Sequence, residues 1–370
     1  MSSFATNRAP SPCITPRIHL VWGRNETSDT LNNVKFGRIG IVGASGAVGQ
    51  EYLKLIHERS WQFDELVLFG SQRSAGNIIN VPGYGELEIQ NLTQYELCGF
   101  DVVLFSAGAN VAKQFIPEFT KHGSLCVDNS SAFRMDPSIP LIVPEINGGE
   151  LHGDERTIAN PNCSAIILLM ALSGLMPIGN LKKVIVSTYQ SSSGAGAEAM
   201  NEMLTQTQDV LDGKPANPKI FAHQSAFNVF SHDSAIEENG FNGEENKVVA
   251  ESRKILGDQN LQIIPTCVRV PVLRAHTESI AATFDQPIPT LDTVREMIST
   301  APGVQLQDDP AKNHFPMPVE ASNRDDVLVG RLRIDPSDPN TILLMASGDQ
   351  LRKGAALNAM QIAELMQTLG

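Results

Sequence analysis

The stretch that most restricts how this chain can fold is residues 36–59. Phe36-Gly37-Arg38-Ile39-Gly40-Ile41-Val42 reads as a short strand, Gly43-Ala44-Ser45-Gly46-Ala47-Val48-Gly49 interrupts it, and Gln50 to Arg59 continues at helical spacing. A strand that feeds a helix through a glycine turn leaves backbone N–H groups free at the helix N-terminus, where they face a pyrophosphate. Gly43, Ala44, Ser45, Gly46, Ala47, Val48 and Gly49 are therefore candidate dinucleotide contacts. The spacing is G-x-x-G-x-x-G and not the more specific G-x-G-x-x-G, so its place at the head of the first apolar strand carries this reading against a plain βα turn.

The next strand, Glu65 to Gly70, ends without the acidic residue that would bond a ribose 2′-hydroxyl and runs into Ser71-Gln72-Arg73-Ser74-Ala75-Gly76. A carboxylate there would repel a 2′-phosphate, whereas Arg73 with Ser71 and Ser74 would bind one, which favours NADP over NAD; the alternative is an exposed loop arginine. Asp101-Val102-Val103-Leu104-Phe105 is a continuous apolar strand of the kind buried in a parallel sheet. It ends in Ser106, Ala107 and Gly108, on the edge that lines a cofactor crevice. Ser124 to Asp128 repeats the pattern and leads to Asn129-Ser130-Ser131-Ala132-Phe133-Arg134, where Arg134 is either an anion holder or one half of a salt bridge. Leu141 to Glu145 and Thr157 to Ala159 complete the βα series.

That series delivers the chain to Asn160-Pro161-Asn162-Cys163-Ser164, followed by an apolar run from Ile166 to Leu175. A thiol at the start of a buried helix sits in the partial positive charge of the helix end, which lowers its pKa and can hold an oxyanion. Cys163 is thus a candidate nucleophile, with a buried structural thiol as the alternative. The five cysteines are odd in number and without paired spacing, as expected of reduced thiols, and the absence of C-x-x-C and H-E-x-x-H argues against a metal site. A formal charge of −13 argues against nucleic acid, and no run of about eighteen apolar residues suggests a membrane span.

After Cys163 the texture changes. Lys183 to Gln190 reads as a long strand, Ser191 to Gly196 as a turn, and the following residues as a helix to Leu211. Gly213 to Asn242 is irregular, and a helix then carries Glu244-Glu245-Asn246-Lys247, where Glu244 and Lys247 share a face as a solvated ion pair would. Thr266 to Val272 and Thr277 to Thr283 are two further strands, with alternation placing Arg269 opposite Val268 and Val270, the residues expected to pack on helices. The closing segment from Gly348 to Leu369 reads as an amphipathic helix returning to the first domain. The expected fold is α/β: a Rossmann-type parallel-sheet NADP-binding domain (36–162 plus 346–370) and an α+β catalytic and dimerisation domain with a mixed sheet (163–345).

A thiolate attacking an aldehyde or acyl phosphate needs an imidazole nearby, and His276, in a strand-end turn, is the best placed; the other histidines fall in helices or irregular stretches typical of surface groups. With NADP facing such a pair, the economical chemistry is hydride transfer to or from a thiohemiacetal. The motifs G-A-S-G-A-V-G, S-Q-R-S-A-G, N-S-S-A-F-R, N-P-N-C-S, S-T-Y-Q-S-S-S-G-A-G, E-E-N-K, C-V-R-V-P-V-L-R-A-H-T-E-S and G-D-Q-L-R-K-G-A-A-L-N occur in that order from about Phe36 to the C-terminus. Together they resemble the aspartate-semialdehyde dehydrogenase family.

The resemblance implies that Cys163 forms the covalent intermediate, His276 is the acid/base and Gln190 positions the substrate or the thiohemiacetal oxygen. It implies that Arg269 pairs bidentately with the substrate α-carboxylate, that Glu244 receives its ammonium, and that Arg134 and Lys247 hold inorganic phosphate or the phosphate of aspartyl phosphate. Gly194 and Gln350 join the cofactor contacts. The implied activity is NADPH-dependent reduction of L-4-aspartyl phosphate to L-aspartate 4-semialdehyde, in lysine, methionine and threonine synthesis, by a homodimer whose further pairing to a tetramer the sequence leaves open. N-acetyl-glutamyl-phosphate reductase and glyceraldehyde-3-phosphate dehydrogenase are the rival enzyme families. Glu244 argues against them, since an acetylated amine needs no carboxylate. A non-catalytic NADP sensor would leave Arg269, His276, Gln190 and Lys247 without a purpose. Residues 1–35 have no counterpart in the family core. They are rich in Ser, Thr, Asn and Arg with no acid before Glu26, which fits a transit peptide, a misassigned start or a species-specific extension; the expected location is the cytoplasm, or the plastid stroma if they form a transit peptide.

Overall fold

A computed structural model describes residues 35–369. The transit-peptide reading of the amino-terminal extension lies outside the described residues. Fourteen strands form two sheets of seven among the described residues.

The first sheet holds β1 (Lys35–Val42), β2 (Gln62–Gly70), β3 (Ile78–Val81), β4 (Gly85–Asn91), β5 (Val102–Phe105), β6 (Leu125–Asp128) and β7 (Thr157–Ala159). Their order is β3-β4-β2-β1-β5-β6-β7, parallel throughout except for the β3/β4 pair. Helices cover both faces of such a sheet, so its central strands are buried on both sides: every residue of β5 and β6 is buried. The order reverses at β1, between β2 and β5, and a crevice opens beyond the carboxyl ends of the strands at that point. The glycine turn after β1 lies there. Leu141 to Glu145 does not add a strand: Leu141 makes one isolated bridge to Ala159, and Pro144–Asn147 turns into a short helix, because Pro144 has no N–H to continue a ladder.

The second sheet holds β8 (Leu181–Gln190), β9 (Phe230–Ser231), β10 (Gln262–Arg269), β11 (His276–Phe284), β12 (Val304–Leu306), β13 (Val327–Asp335) and β14 (Asp338–Gly348), in the order β12-β13-β14-β11-β8-β10-β9. It is mixed: β8 pairs parallel with β10 and antiparallel with β11. The strands β10 and β11, consecutive in sequence, therefore flank β8 and do not pair as a hairpin. Along β8 burial alternates cleanly, with Val184, Val186, Thr188 and Gln190 inward and Ile185 and Tyr189 outward.

The face of β10 is the reverse of the expected one. Ile263, Cys267 and Arg269 are buried on the helix side, while Ile264 is 44% exposed on the other face. The outer face of this sheet also carries large apolar side chains, Ile185, Tyr189 and Ile264, which weakens the polar contrast that alternation relies on, so Val268 and Val270 gave no sign that they face outward.

The helix Cys163–Ser173 packs against the inner face of the second sheet, in one core with Val184, Val186, Ile280, Ile342 and Leu344. Ser164 to Leu172 are all buried, so the helix is apolar on every side and is held by burial, worth about 1.5–3 kcal/mol for each large aliphatic side chain. The C-terminal segment returns to the first sheet, but as a π-helical turn, Arg352–Ala356, that runs into the helix Leu357–Leu369. It is less amphipathic than expected: Leu351 to Met360 are all buried, because this stretch sits under the core of the first sheet and against the helix Cys163–Ser173 at once. No described helix is long and apolar enough to cross a membrane.

Candidate active site

Both sheets contribute to one cavity of about 440 Å³. From the first half, Gly46, Ala47, Val48, Ser106 and Arg134 reach its wall; from the second, Cys163, Gln190, Gly194, Glu244, Lys247 and Arg269; and Gln350 comes from the returning C-terminal segment.

Cys163 is the first residue of its helix. Asn162 caps that helix, its Oδ1 accepting the N–H groups of Ser164 (3.0 Å) and Ala165 (3.2 Å), a cap worth about 1 kcal/mol. The same side chain donates through Nδ2 to Glu244 Oε1 (2.9 Å), and its backbone N–H donates to Glu251 Oε2 (2.6 Å). The turn before Cys163 is thus tied to the helix Gly243–Ile255 at two points. On the other side the π-turn presses Gly354 close: a Cβ there would lie 3.0 Å from that of Cys163.

Cys163 Sγ lies 3.5 Å from His276 Nε2. The Ser191 backbone N–H donates to His276 Nδ1 at 3.0 Å, so Nδ1 is the acceptor nitrogen and Nε2 carries the proton, aimed at the sulfur. Burial, with Arg269 nearby, lowers His276 to about 3 and keeps the ring neutral. The thiol does not follow the sequence expectation of a lowered pKa. Burial and then the charge of Glu244 push it up to about 12, against the opposing pull of Arg134 and Arg269. Desolvation outweighs the helix end in the free protein.

Glu244 is buried and accepts from Asn162 (2.9 Å), Gln190 Nε2 (3.1 Å) and Lys247 Nζ (3.2 Å). Burial opposes its charge, but Lys247, His232 and these donors bring it down to about 2. The Glu244/Lys247 pair therefore lies in the cavity wall and not on a solvated face. Replacing Glu244 by Gln keeps an acceptor for Asn162 and Gln190 but removes the anion that raises Cys163. The Glu244→Gln variant is expected to alkylate with iodoacetamide roughly threefold to tenfold faster at pH 8, the effect of half to one unit in thiol pKa. An unchanged alkylation rate would show that Glu244 does not control the thiol.

Arg269 donates through Nε to Asp233 Oδ1 (3.0 Å) and through Nη1 to the Ser191 carbonyl (3.4 Å), leaving its Nη end for the cavity. Arg134 holds Glu251 (3.1 Å) and the carbonyls of Asn160 and Asn129 (both 2.9 Å). The salt-bridge reading of Arg134 is realised, since three of its donors make a buried salt bridge and backbone clamp, and the side chain also lines the cavity. Gln350 accepts the Ala275 N–H (3.0 Å) and donates to Ser193 Oγ, which ties the residue before His276 to the Ser191–Gly196 turn.

On the cofactor side, Gly43 has φ +88, and a Cβ there would collide with the Ser106 carbonyl; one at Gly49 would collide with the Gly43 carbonyl and Ala44. These two glycines let strand and helix close up, while Gly46 precedes the helix Ala47–Glu58 with no side-chain cap, so its first N–H groups stay open. Ala44 is buried and Ser45 exposed in the turn itself. Ala107 follows Ser106, and Gly108, with φ +84, starts the helix Ala109–Lys121. Gly194 is tight as well: a Cβ there would lie 3.1 Å from His276 and 3.2 Å from Arg269. A Cβ-free cradle facing open helix N–H groups fits a dinucleotide.

Ser71, Arg73 and Ser74 lie outside this cavity, in a turn at the carboxyl end of β2 closed by the Ser74 N–H to the Ser71 carbonyl (2.9 Å). Arg73 is exposed and makes no ion pair among the described residues. Sequence reasoning missed Ser131, Asn162, Ser193, His232, Asp233 and Glu251. Ser131, Asn162 and Ser193 stood inside quoted motifs and were passed over, whereas His232 and Asp233 lay in the irregular stretch, and nothing local marks Glu251 as the partner of Arg134.

The first half, residues 38–153, matches the family described as semialdehyde dehydrogenase, NAD binding domain, and residues 172–353 match semialdehyde dehydrogenase, dimerisation domain. An aspartate-semialdehyde dehydrogenase of Synechocystis sp. is 47% identical over 333 residues, covering 90% of this chain and 98% of its own length. One of Bacillus subtilis is 41% identical over 338 residues, covering 90% and 97%. Among solved structures, aspartate semialdehyde dehydrogenase II of Vibrio cholerae in complex with ASA is 38% identical, with a TM-score of 0.86 over 91% of this chain and 99% of that one. Identity at this level over nine-tenths of the chain, on the same fold and around a Cys/His cavity, places the protein by descent as well as by geometry: the chain belongs to the aspartate-semialdehyde dehydrogenase family.

Proposed function

We propose that the chain catalyses the reversible NADPH-dependent conversion of L-4-aspartyl phosphate to L-aspartate 4-semialdehyde and phosphate, through a thioester on Cys163. The observation that carries this is the 3.5 Å approach of the fully buried His276 Nε2 to the Sγ of Cys163, which lines a cavity with Arg269, Glu244, Lys247 and Arg134. Those charges suit a substrate with one carboxylate, one ammonium and one phosphate. Residues 36–162 with 346–370 would hold the cofactor, and residues 163–345 the substrate.

The Nη end of Arg269 receives the α-carboxylate and Glu244 the ammonium, which puts the acyl carbon near Cys163. The ammonium also offsets the Glu244 charge that holds the thiol protonated, so substrate binding itself favours the thiolate. Sulfur attacks the acyl carbon, the C–O bond to phosphate breaks, and the thiol proton leaves with the phosphate that Arg134 and Lys247 stabilise. When bound, the reduced nicotinamide supplies the hydride that takes the thioester carbonyl to the aldehyde level. As the aldehyde departs, the Nε2–H of the neutral His276 ring donates a hydrogen bond to the leaving sulfur, a proton taken up from solvent restores the thiol, and Gln190 holds the substrate through Glu244.

Two features support a homodimer. The matched family domain is described as a dimerisation domain, and the outer face of the second sheet exposes Ile185, Tyr189 and Ile264 together.

The test is an assay with aspartate semialdehyde, phosphate and either nicotinamide cofactor; no phosphate-dependent turnover would remove this reading. In the same assay Arg73→Ala is expected to raise the KM for NADP by about tenfold to a hundredfold, the worth of a charge-assisted phosphate contact, and to leave the KM for NAD within about twofold. Equal effects on both would take Arg73 out of the 2′-phosphate site.

A further inference from the structure

The irregular stretch before the helix Gly243–Ile255 carries a group that the chemistry above does not use. The edge strand β9 pairs with β10, Phe230 beside Arg269 and Ser231 beside Val268. The His232 N–H then donates to the Cys267 carbonyl at 2.9 Å. His232 thereby falls on the same sheet face as Cys267 and Arg269, and its ring lines the active cavity with Glu244, Lys247 and Arg269. Its side chain is only 10% exposed. The expectation that histidines in irregular stretches are surface groups does not hold for it.

The tautomer follows from its neighbours. Nδ1 accepts the Ser234 backbone N–H at 3.2 Å and lies 3.1 Å from Ser234 Oγ. The proton is therefore on Nε2, which has no hydrogen-bond partner among the described residues. Burial and then Arg269 hold the ring neutral, with a pKa lowered to about 4, while Glu244 and Asp233 act the other way and Lys247 adds to Arg269. The next residue, Asp233, occupies Arg269 Nε, so a carboxylate meets Arg269 end-on at the two Nη atoms. A carboxylate bound in that way still has lone pairs to offer a third donor.

We infer that His232 is a specificity-determining residue, whose Nε2–H donates to the α-carboxylate of the amino-acid substrate that Arg269 clamps. A neutral donor suits this place. It adds a hydrogen bond to the carboxylate without a second buried cation that would compete with the substrate ammonium for Glu244. A substrate lacking the α-carboxylate leaves this N–H unpaired in a desolvated wall, and that selects for an α-amino acid. The inference rests on the substrate site proposed above.

The test compares His232→Gln, His232→Asn and His232→Leu. The amide nitrogen of Gln reaches where Nε2 stands, that of Asn where Nδ1 stands, and Leu has no donor. For aspartate semialdehyde, the Leu and Asn variants are expected to raise KM by about tenfold or more, and the Gln variant to stay within about threefold of wild type. The KM values for NADP and phosphate should remain within about twofold in all three, which also shows that each variant is folded. With 3-aminopropanal, the analogue without the α-carboxylate, wild type and Leu variant should be equal. An unchanged KM in the Leu variant overturns the inference. So does equal damage from Gln and Leu, or a KM for NADP that rises in step, since either indicates a structural role. Absence of phosphate-dependent turnover in the wild-type protein would instead overturn the parent reading, and this inference with it.

Discussion

The Cys163→Ala variant is expected to lose phosphate-dependent reduction of NADP by aspartate semialdehyde by about 10⁴-fold or more, with cofactor affinity within about twofold of wild type. The size follows from the role: without sulfur there is no thioester, and the remaining residues can only bind. The selectivity follows from the geometry, since the part of the cavity proposed for the cofactor is lined by Gly46, Ala47, Val48 and Ser106, none of which is held by the thiol. The fold should tolerate the change, because the helix is capped by Asn162 and anchored in the core by the buried residues Ser164 to Leu172. Steady-state turnover together with a cofactor titration checks both halves. Turnover within tenfold of wild type would leave Cys163 as a packing residue.

The second large effect is expected for Arg269→Lys, which keeps the charge and should still raise the KM for aspartate semialdehyde by about a hundredfold, with a smaller change in kcat. Arg269 uses three nitrogens at once: Nε faces Asp233 at 3.0 Å, Nη1 touches the Ser191 carbonyl at 3.4 Å, and the Nη end remains for the ligand. A lysine has one nitrogen for these tasks, and Asp233 is the nearest anion to claim it. The substrate carboxylate would then lose its bidentate partner while the wall keeps its formal charge. A KM within twofold of wild type would rule out Arg269 as the carboxylate clamp. The two variants separate chemistry from binding, since the first acts on turnover and the second on substrate affinity.

Much of the site was legible because the motifs are local. The glycine turn announced itself through residues that only a strand and helix in close contact require, and Gly43 and Gly49 meet that requirement sterically. Cys163 at a helix start could be read from the apolar run that follows it. The face of β10 was misread because Ile264 and Val268 lie on its outer face while Arg269 lies on its inner one, so its amphipathic signal is weak where the strand ends. His232 was missed because its position depends on a two-residue edge strand, too short to leave a pattern.

What the sequence determined by itself was the kind of fold and the kind of chemistry. Strand, glycine turn and helix dictate a dinucleotide crevice, alternation along β8 dictates a half-buried sheet, and the ordered motifs point to one family. What only the tertiary structure decided was the state of the groups in the candidate site. Cys163 and His276, 113 residues apart, meet at 3.5 Å. Burial holds the thiol protonated and the imidazole neutral with its proton on Nε2, where a helix end read from sequence pointed to a lowered thiol pKa. Glu251 was revealed as the partner of Arg134, and Asp233 as that of Arg269. The physical reason is that local propensity follows from neighbours along the chain, whereas protonation and charge follow from neighbours through space and from the water that folding removes.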